Sequence, residues 1–575
     1  MQTTEHFLEG KDASLEFTIA TMQQKLAAIG FVVEERSWLH PVDNIWSVHV
    51  SDRDCPLLYC NGKGASELAA RASALGEFFE RASSNYFWTH HYLGETAANA
   101  PFVHLPQEKW FPPGKNGAWP KELLTPELQD FYNPDGDVGA EQLVDLNSGN
   151  AGRGICALPY TRLRDGETIH FPVNITGNLY VSNGMAAGNT PAEARAQALS
   201  EIVERYVKFR VIRDGLCLPD VPDEVLARYP QVVADIAALR AAGFGILVKD
   251  ASFGGEYPVM NVTLLNPRDQ GCFVSFGAHP HFGVALERAL TELLQGRALD
   301  ALDGFPAPGF NQEEVASTPN LETHFVDSSG VVSWRFLGGE PDFAFCDWNH
   351  GGDTKQDYGW LVDRLHEDGY DLYLAEYDHL GVYGCRILVP GMSEIYPVDD
   401  LRWENNSVGN ALRPYLRDLP SLDDDASAEL LALLGEFGLD DSRPVAALIG
   451  LAADPGSVWE ALRVGELKTL LALAAGDGDA IVEGCEWIRH FGQLDPERLR
   501  VYRCVEDVVG LDGDEAYSRS LQLLYGEATL NLALDLLNGE QRFFGLGALG
   551  ADFEGSAAHR QLLAAYAKVQ ARKAG

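Results

Sequence analysis

A motif on a predicted helix occurs three times in this chain, and this repetition constrains the fold more than any other feature. The first copy runs from Gly64 to Arg81, where small alanine side chains separate a set of polar ones. The second copy lies 124 residues further along, and a weaker third copy follows after another 91 residues. The three polar sets are Ser73, Glu77, Glu80 and Arg81; Gln197, Glu201, Glu204 and Arg205; and Arg288, Glu292 and Gln295. We therefore expect three helices that share one polar face.

Each polar set lies on one side of its helix, because residues three and four positions apart are neighbours on a helix surface. If the three helices converge, they gather five carboxylates and three guanidinium groups in one place. Charges that leave water cost several kcal/mol each unless they are compensated, so this set needs a cation. Carboxylate oxygens suit Mg²⁺, which keeps positions for water and substrate phosphates, and arginine forks suit phosphate oxygens. The residue types therefore predict a site for a magnesium–nucleotide complex.

The alternative interpretation is a solvated helix face. A single Glu-x-x-Glu-Arg on an alanine-rich helix is most often such a face, with an i,i+4 ion pair that contributes a few tenths of a kcal/mol. A solvated face has no reason to keep two glutamates and an arginine in register with the same alanine and leucine positions in two copies. The repetition therefore favours a functional role.

The three copies resemble the nucleotide-binding signature of the YcaO superfamily. They have the form S-x-x-x-E-x-x-E-R at Ser73–Arg81, Q-x-x-x-E-x-x-E-R at Gln197–Arg205 and R-x-x-x-E-x-x-Q at Arg288–Gln295. Other stretches resemble free-standing bacterial members of that family: Gly10-Lys11-Asp12, Asn61-Gly62-Lys63-Gly64, Ser182-Asn183-Gly184, Val389-Pro390-Gly391-Met392-Ser393 and Asn405-Asn406-Ser407. The resemblance spans nearly the whole chain.

This resemblance implies ATP and Mg²⁺ as cofactors and gives the polar residues their expected roles. The expected metal ligands are Glu77, Glu80, Glu201, Glu204 and Glu292, and the expected catalytic residues are Glu201, Glu204 and Arg205. The expected nucleotide-binding residues are Lys11, Ser73, Glu77, Arg81, Glu193, Gln197, Glu201, Arg205, Arg288, Glu292 and Gln295. Glu193 has a second interpretation, because Thr190 is a predicted N-cap and Glu193 would complete a capping box.

The resemblance also implies a reaction class. Family members use ATP to activate a backbone amide oxygen and so form azolines, amidines or thioamides. Azoline-forming members end in Pro-x-Pro-x-Pro, whereas the last proline here is Pro496. The implied role is instead that of an accessory factor for β-methylthiolation of an aspartate in a small-subunit ribosomal protein, with the radical-SAM enzyme RimO. Two alternatives stay open: a peptide cyclodehydratase or thioamide-forming enzyme that works with a peptide-binding partner, and a nucleotide-gated adaptor without chemistry of its own.

The overall charge limits the class of partner. The formal net charge is -40 and the pI is about 4.6, whereas binding to a nucleic-acid backbone needs clustered lysine and arginine. The nine cysteines are scattered without a C-x-x-C motif, which is typical of reduced thiols in a cytosolic protein. No basic-then-apolar leader and no long apolar run is found, so we expect a cytoplasmic protein without a membrane span.

Two domains are expected. Residues 1–415 alternate predicted strands with alanine-rich helices, which indicates an α+β domain. Its mixed β-sheets would hold the three signature helices, near 66–84, 190–210 and 283–297, around an ATP/Mg²⁺ cleft. Residues 416–575 are amphipathic helices almost without strands, which predicts an all-α, tetratricopeptide-like domain. Because such domains serve as interaction surfaces, we expect a homodimer that forms through it.

Four local predictions concern the surroundings of the site. A helix is predicted at Leu15–Ile29 with Gly30 as its stop, and a strand at Pro56–Tyr59. Pro101–Asp137 is rich in proline, tryptophan and glycine and is predicted to be a surface excursion. His279-Pro280-His281 lacks a partner cluster with zinc spacing and is interpreted as ordinary.

Two short glycine-containing motifs are set aside. Gly62-Lys63-Gly64 is not a P-loop, because Leu57 stands where the first glycine should be. Gly545–Gly550 spells G-x-G-x-x-G, but it follows no predicted strand.

Overall fold

The computed structural model describes residues 5–145, 147–399, 401 and 408–574. Asn405-Asn406-Ser407, one of the stretches that carry the family resemblance, lies outside the described residues. Within the described part, three β-sheets lie in the first two thirds of the chain and a helical region follows. The expected α+β fold with an all-helical C-terminal region is therefore confirmed.

Twelve strands form the three sheets. They are β1 (Val33–Val42), β2 (Ile45–Asp52), β3 (Tyr59–Gly64), β4 (Lys109–Phe111), β5 (Ile155–Arg162), β6 (Thr168–Pro172), β7 (Met185–Gly188), β8 (Gly245–Asp250), β9 (Val259–Asn266), β10 (Gly271–Ala278), β11 (Tyr373–Tyr377) and β12 (Tyr383–Leu388). The sheet orders are β1-β2-β3, β10-β9-β8 and β4-β5-β11-β12-β7, with β6 paired to β5. Neighbouring strands in these sheets pair antiparallel.

Among the described residues, twelve α-helices accompany these sheets. They are α1 (Leu15–Ile29), α2 (Glu67–Ser83), α3 (Gly94–Ala98), α4 (Pro126–Tyr132), α5 (Val173–Asn178), α6 (Pro191–Asp214), α7 (Asp223–Leu226), α8 (Pro230–Ala241), α9 (Phe282–Leu293), α10 (Gln312–Val315), α11 (Thr318–Val326) and α12 (Thr354–Glu367). The prediction for α1 is confirmed, since the helix ends where Gly30 adopts the left-handed conformation with φ 98°.

Each signature helix directly follows a strand that it packs on, and these three strands belong to three different sheets. The three units are β3–α2, β7–α6 and β10–α9. Glycines on the strands allow the helices to approach closely: a Cβ atom added to Gly62 would lie 2.0 Å from the Ala70 carbonyl oxygen, and one added to Gly277 would lie 2.4 Å from the Ala289 nitrogen. This close packing explains why glycine and alanine recur together with the polar set.

Two element boundaries differ from the predictions near the site. β3 runs from Tyr59 to Gly64, so Lys63 lies on a strand that had been predicted to end at Tyr59. α9 ends at Leu293, so Gln295 lies in the turn that follows the helix and not on its polar face. The third signature helix is therefore shorter than the predicted 283–297.

The prediction of a surface excursion at Pro101–Asp137 was only partly right, because most of the stretch is at least partly exposed but some of it is buried. This stretch contains β4 and α4, and Leu123, Leu128 and Tyr132 are buried in a core that β5 and β6 share. Its proline and glycine residues mark tight turns between short elements, and the apolar residues between those turns fill the core.

The C-terminal region is built from helices. They are α13 (Val408–Leu416), α14 (Asp424–Glu436), α15 (Val445–Ile449), α16 (Val458–Ala461), α17 (Val464–Ala475), α18 (Gly478–Phe491), α19 (Pro496–Gly510), α20 (Ser518–Tyr525), α21 (Glu527–Leu537) and α22 (Ala557–Lys573). The structure has no β-strand between residues 408 and 574. The domain boundary after residue 415, the tetratricopeptide-like character and the homodimer stay predictions.

The last helix returns to the first sheet. Trp88 Nε1 donates a hydrogen bond of 3.1 Å to the carbonyl of Leu562 in α22. Tyr566 and Val569 of α22 are buried in the same core as Phe78 of α2. The helix that carries Glu77 and Glu80 is therefore supported by the C-terminal end of the chain. Among the described residues, none of the helices combines the length and the apolar character that a bilayer crossing requires.

Candidate functional site

The three signature helices converge on one cavity of about 750 Å³. α1 and the segment that precedes it contribute Leu8, Lys11 and Leu15 to the wall. All the predicted site residues line this cavity: Lys11, Ser73, Glu77, Glu80, Arg81, Glu193, Gln197, Glu201, Glu204, Arg205, Arg288, Glu292 and Gln295. The spacing within the helices thus indicated a real convergence in space.

On α2 and α6, each motif arginine pairs with the glutamate four positions before it, which leaves Glu80 and Glu204 without a salt bridge among the described residues. Glu77 pairs with Arg81, and Glu201 pairs with Arg205 at 2.5 Å, both with i,i+4 spacing. Glu80 has no ion pair among the described residues, and burial beside Glu201 and Glu77 raises its pKa well above the ordinary value. Burial also raises the pKa of Glu201. A divalent cation would relieve this repulsion.

One end of β10 joins α6 to α9. The backbone N–H of Ala278 donates to Glu204 Oε2 at 3.2 Å, and Arg288 Nη1 donates to the Ala278 carbonyl at 2.9 Å. Arg288 Nη2 also donates to the side-chain oxygen of Gln197. Burial lowers the pKa of Arg288. These contacts fix a glutamate from the second copy and an arginine from the third copy at adjacent positions.

Lys63 is a cavity residue that the sequence analysis missed. Its Nζ forms an ion pair with Glu292, and burial lowers its pKa against the opposing charges of Glu204 and Glu77. Its neighbour Asn61 accepts a hydrogen bond of 2.9 Å from Gln295 Nε2 through the backbone carbonyl. Period-two alternation along β3 places Asn61 and Lys63 on one face, and this signal was lost when the strand was predicted to end at Tyr59.

Glu193 fastens the N-terminal segment to α6. Its Oε1 lies 3.4 Å from Lys11 Nζ, and its Oε2 accepts the backbone N–H of Asp12 at 3.0 Å. Thr190 caps the helix by accepting the Glu193 N–H at 3.2 Å. The predicted capping box is only half formed, because the Glu193 carboxylate also accepts from Asn189 and does not return to the cap backbone.

His279 and His281, which precede α9, contact the same N-terminal segment. His281 Nδ1 lies 2.9 Å from Glu9 Oε1, and its Nε2 lies 3.5 Å from Asp357 Oδ2. Gly10, with φ 74°, packs so tightly on His279 that an added Cβ atom would lie 2.6 Å from the ring Nε2. Asp357 lies with the two histidines in a buried group of three potential ligands, a contact that the sequence spacing did not indicate; their interpretation as ordinary histidines stays a prediction.

The sequence of this chain matches known families over both regions. Residues 61–393 match the family described as YcaO cyclodehydratase, ATP- and Mg²⁺-binding, and residues 409–575 match the YcaO cyclodehydratase C-terminal domain. The chain belongs to the YcaO family. The expectation of ATP and Mg²⁺ as cofactors is confirmed by this family membership.

Among YcaO relatives, the chain is 49% identical to the Escherichia coli protein named ribosomal protein S12 methylthiotransferase accessory factor YcaO, over 99% of each chain. It is 47% identical to an uncharacterized protein of Haemophilus influenzae, again over 99% of each chain. A solved structure of a heterocyclase in complex with substrate and cofactor aligns with a TM-score of 0.45 and 17% identity, over 69% of this chain and 56% of that one.

Proposed function

We propose that this YcaO protein binds and uses ATP and Mg²⁺ as an accessory factor for β-methylthiolation of an aspartate in a small-subunit ribosomal protein, with RimO. The observation that carries the proposal is the convergence of five carboxylates and three arginines from three helices on one cavity. The full-length similarity to the Escherichia coli accessory factor supports the choice of reaction and partners. The cytoplasm is the compartment in which such partners meet.

The residues fit a magnesium–phosphate group. Glu77, Glu80, Glu201, Glu204 and Glu292 are the proposed metal ligands, in a set that offers the hard oxygen atoms Mg²⁺ prefers. The buried Arg81 Nε has no hydrogen-bond partner among the described residues. A phosphate oxygen would satisfy that N–H, and bound Mg²⁺ would neutralise charge that develops on the phosphates.

The remaining polar residues are proposed to hold and orient the nucleotide. Arg81, Arg205 and Arg288 would bind the phosphates, and Lys11 and Glu193, which pair with each other, would hold the nucleotide from the side of the N-terminal segment. Glu201, Glu204 and Arg205 are the proposed catalytic set. Arg205 Nη1 donates to the Asn183 side-chain oxygen at 3.0 Å as well as to Glu201. These two contacts fix the guanidinium between Glu201 and the turn at residues 182–184. Ser73, Gln197 and Gln295 would orient water or ligand oxygens, and Lys63 joins this set.

A second candidate is a backbone cyclodehydratase or thioamide-forming enzyme that works with a peptide-binding partner. The cyclodehydratase name of the matching family favours it. The two candidates differ in product: cyclodehydration removes one water from the acceptor peptide, whereas an accessory factor leaves the peptide mass unchanged in the absence of RimO. Mass spectrometry of the acceptor after incubation with ATP and Mg²⁺ therefore separates them.

The test of the site is ATP turnover by the purified protein with Mg²⁺, with ADP and AMP resolved, beside a Glu201→Gln variant. Loss of turnover in the variant supports chemistry at the cavity. Glu224→Gln, an exposed glutamate on α7, is the matched control and should leave turnover unchanged. Nucleotide binding without turnover, even with RimO and the ribosomal protein present, would favour a non-catalytic adaptor. Failure to bind ATP at all would overturn the proposal.

A further inference from the structure

The segment between α9 and α12 packs along α6, from the C-terminal end of that helix towards the cavity. Gln312 Nε2 donates to the carbonyl oxygens of Ile212 and Arg213, at 3.1 and 2.7 Å. Lys208 Nζ donates to Ser328 Oγ at 2.9 Å. These contacts start at the last turn of α6, and a third contact, at Arg205, lies roughly 12 Å closer to the cavity along the helix axis.

The third contact places the segment beside the proposed catalytic set. The Arg205 guanidinium carbon lies 4.9 Å from the centre of the Phe325 ring. Phe325 belongs to α11, and the next residue, Val326, points to solvent with 73% of its surface exposed. The outer surface of this segment therefore begins next to the cavity.

Two aromatic rings form an exposed pair on the same segment. Phe310 is 90% exposed and Trp334 is 48% exposed, and their ring centres lie 6.0 Å apart in a stacked arrangement. Their positions are fixed by the backbone, because Trp334 N–H donates to the Gly309 carbonyl at 3.0 Å and Gly309 N–H donates to Val332 at 2.8 Å. Large aromatic side chains held in water by a fixed backbone are typical anchors for a partner.

The charge around this pair indicates what the partner carries. Residues 300–342 contain eight carboxylates and one basic residue, Arg335, and Arg335 is paired with Asp342 at 2.6 Å. Glu313 and Glu314 are exposed and follow Phe310 by three and four positions. Basic side chains would find both carboxylates and aromatic faces here, since a guanidinium or ammonium group binds over an aromatic ring.

We propose that the Phe310–Trp334 face docks a basic segment of the acceptor polypeptide, and that the acceptor then runs past Val326 along the segment between α9 and α12 towards the cavity. This inference rests on the proposed function, because it names the surface that presents the acceptor to the same site. A second copy of this chain is a poor occupant of this face, because the carboxylates around the aromatic pair of one copy would meet the same carboxylates of the other.

The test is fluorescence anisotropy at low salt with a fluorescein-labelled synthetic peptide in which arginine and lysine alternate with glycine and serine. We expect the double variant Phe310→Ala/Trp334→Ala to raise the Kd by about tenfold or more. Glu313→Gln/Glu314→Gln should raise it by about threefold and flatten its salt dependence. Leu523→Ala and Glu483→Gln, at exposed positions in the helical region, are the matched controls.

The outcomes separate this inference from the proposed function. Unchanged peptide affinity in both double variants would overturn the docking face, whatever the ATP turnover. Peptide binding that depends on Phe310 and Trp334, in a protein that does not bind ATP, would leave the docking face standing and remove the proposed function. If the control substitutions weakened peptide binding as much as the two double variants do, the peptide would bind through the overall charge of the protein and not through this face. That result would also overturn the proposed docking face.

Discussion

Lys63 on β3 pairs with Glu292 on α9, so the first and third copies of the signature motif are joined across the cavity. Lys63 lies in the β1-β2-β3 sheet, whereas Glu292 lies on the helix that follows the β10-β9-β8 sheet. Lys63 also interacts electrostatically with Glu204 and Glu77. Its ammonium group therefore contributes to the charge balance of the proposed metal site.

Replacement of Lys63 by methionine should impair the site more than the fold. Methionine keeps most of the side-chain volume but removes the ammonium group that holds Glu292. We expect kcat/KM for ATP hydrolysis to fall by about tenfold or more, measured at saturating Mg²⁺. Lys355→Met, at an exposed position on α12, is the control. Equal rates for the Lys63 variant and the wild type would show that the ion pair is dispensable.

Removal of the Thr354 hydroxyl should loosen the segment that carries Lys11. Thr354 Oγ1 donates to the Asp12 carboxylate at 2.9 Å, and Thr354 does not line the cavity. Thr354→Val keeps the shape, so we expect KM for ATP to rise by about threefold to tenfold with a nearly unchanged kcat. Steady-state kinetics beside Thr323→Val, on the exposed side of α11, check this. A fall in kcat alone would contradict it.

Two glycines near α2 should respond in opposite ways to alanine. A Cβ atom at Gly62 would lie 2.0 Å from the Ala70 carbonyl, whereas one at Gly76 meets nothing within 4 Å. We expect Gly62→Ala to lower the free energy of unfolding by about 1–3 kcal/mol or more, and Gly76→Ala to raise it by about 0.5–1 kcal/mol. Urea unfolding followed by circular dichroism measures both. A stable Gly62→Ala variant would disprove the tight strand–helix contact.

Lys573 should make stability depend on pH above neutrality. Burial lowers its pKa to about 7, and its Nζ donates to Asn85 at 2.6 Å and to the His104 carbonyl at 2.8 Å. Between pH 7 and the ordinary lysine pKa, the unfolded chain binds more protons than the folded one, so its contribution to stability rises with pH. The difference in unfolding free energy between wild type and Lys573→Met should grow by about 1 kcal/mol per pH unit from pH 7 to 9. A constant difference would contradict the lowered pKa.

The spacing of the polar residues predicted which side chains share the cavity better than it predicted where the nearby helices and strands end. The predicted residues on the three helices line the cavity, since the three- and four-residue spacing fixes which side chains share a face. Lys11, predicted from the family resemblance, also lines it. Gln295 reaches the cavity from a turn and not from the predicted helix, because α9 ends at Leu293.

The misses have a common physical origin in long-range contacts. Lys63 depends on β3 pairing with β2, and His281 depends on Asp357, which lies 76 residues further along the chain. The buried part of Pro101–Asp137 depends on β5 and β6. A sequence pattern shows what a segment prefers locally, and these residues acquire their role only from a distant partner.

The return of α22 to the first sheet has a consequence for how the protein is made. Trp88 and Leu562 are joined although 474 positions separate them, and Phe78 shares its core with Tyr566 and Val569. During synthesis, the core behind α2 therefore stays open until the last helix has left the ribosome. A growing chain can contain all three signature motifs and still lack the packed support of the first one, so the proposed nucleotide pocket is completed only after α22 has been synthesised.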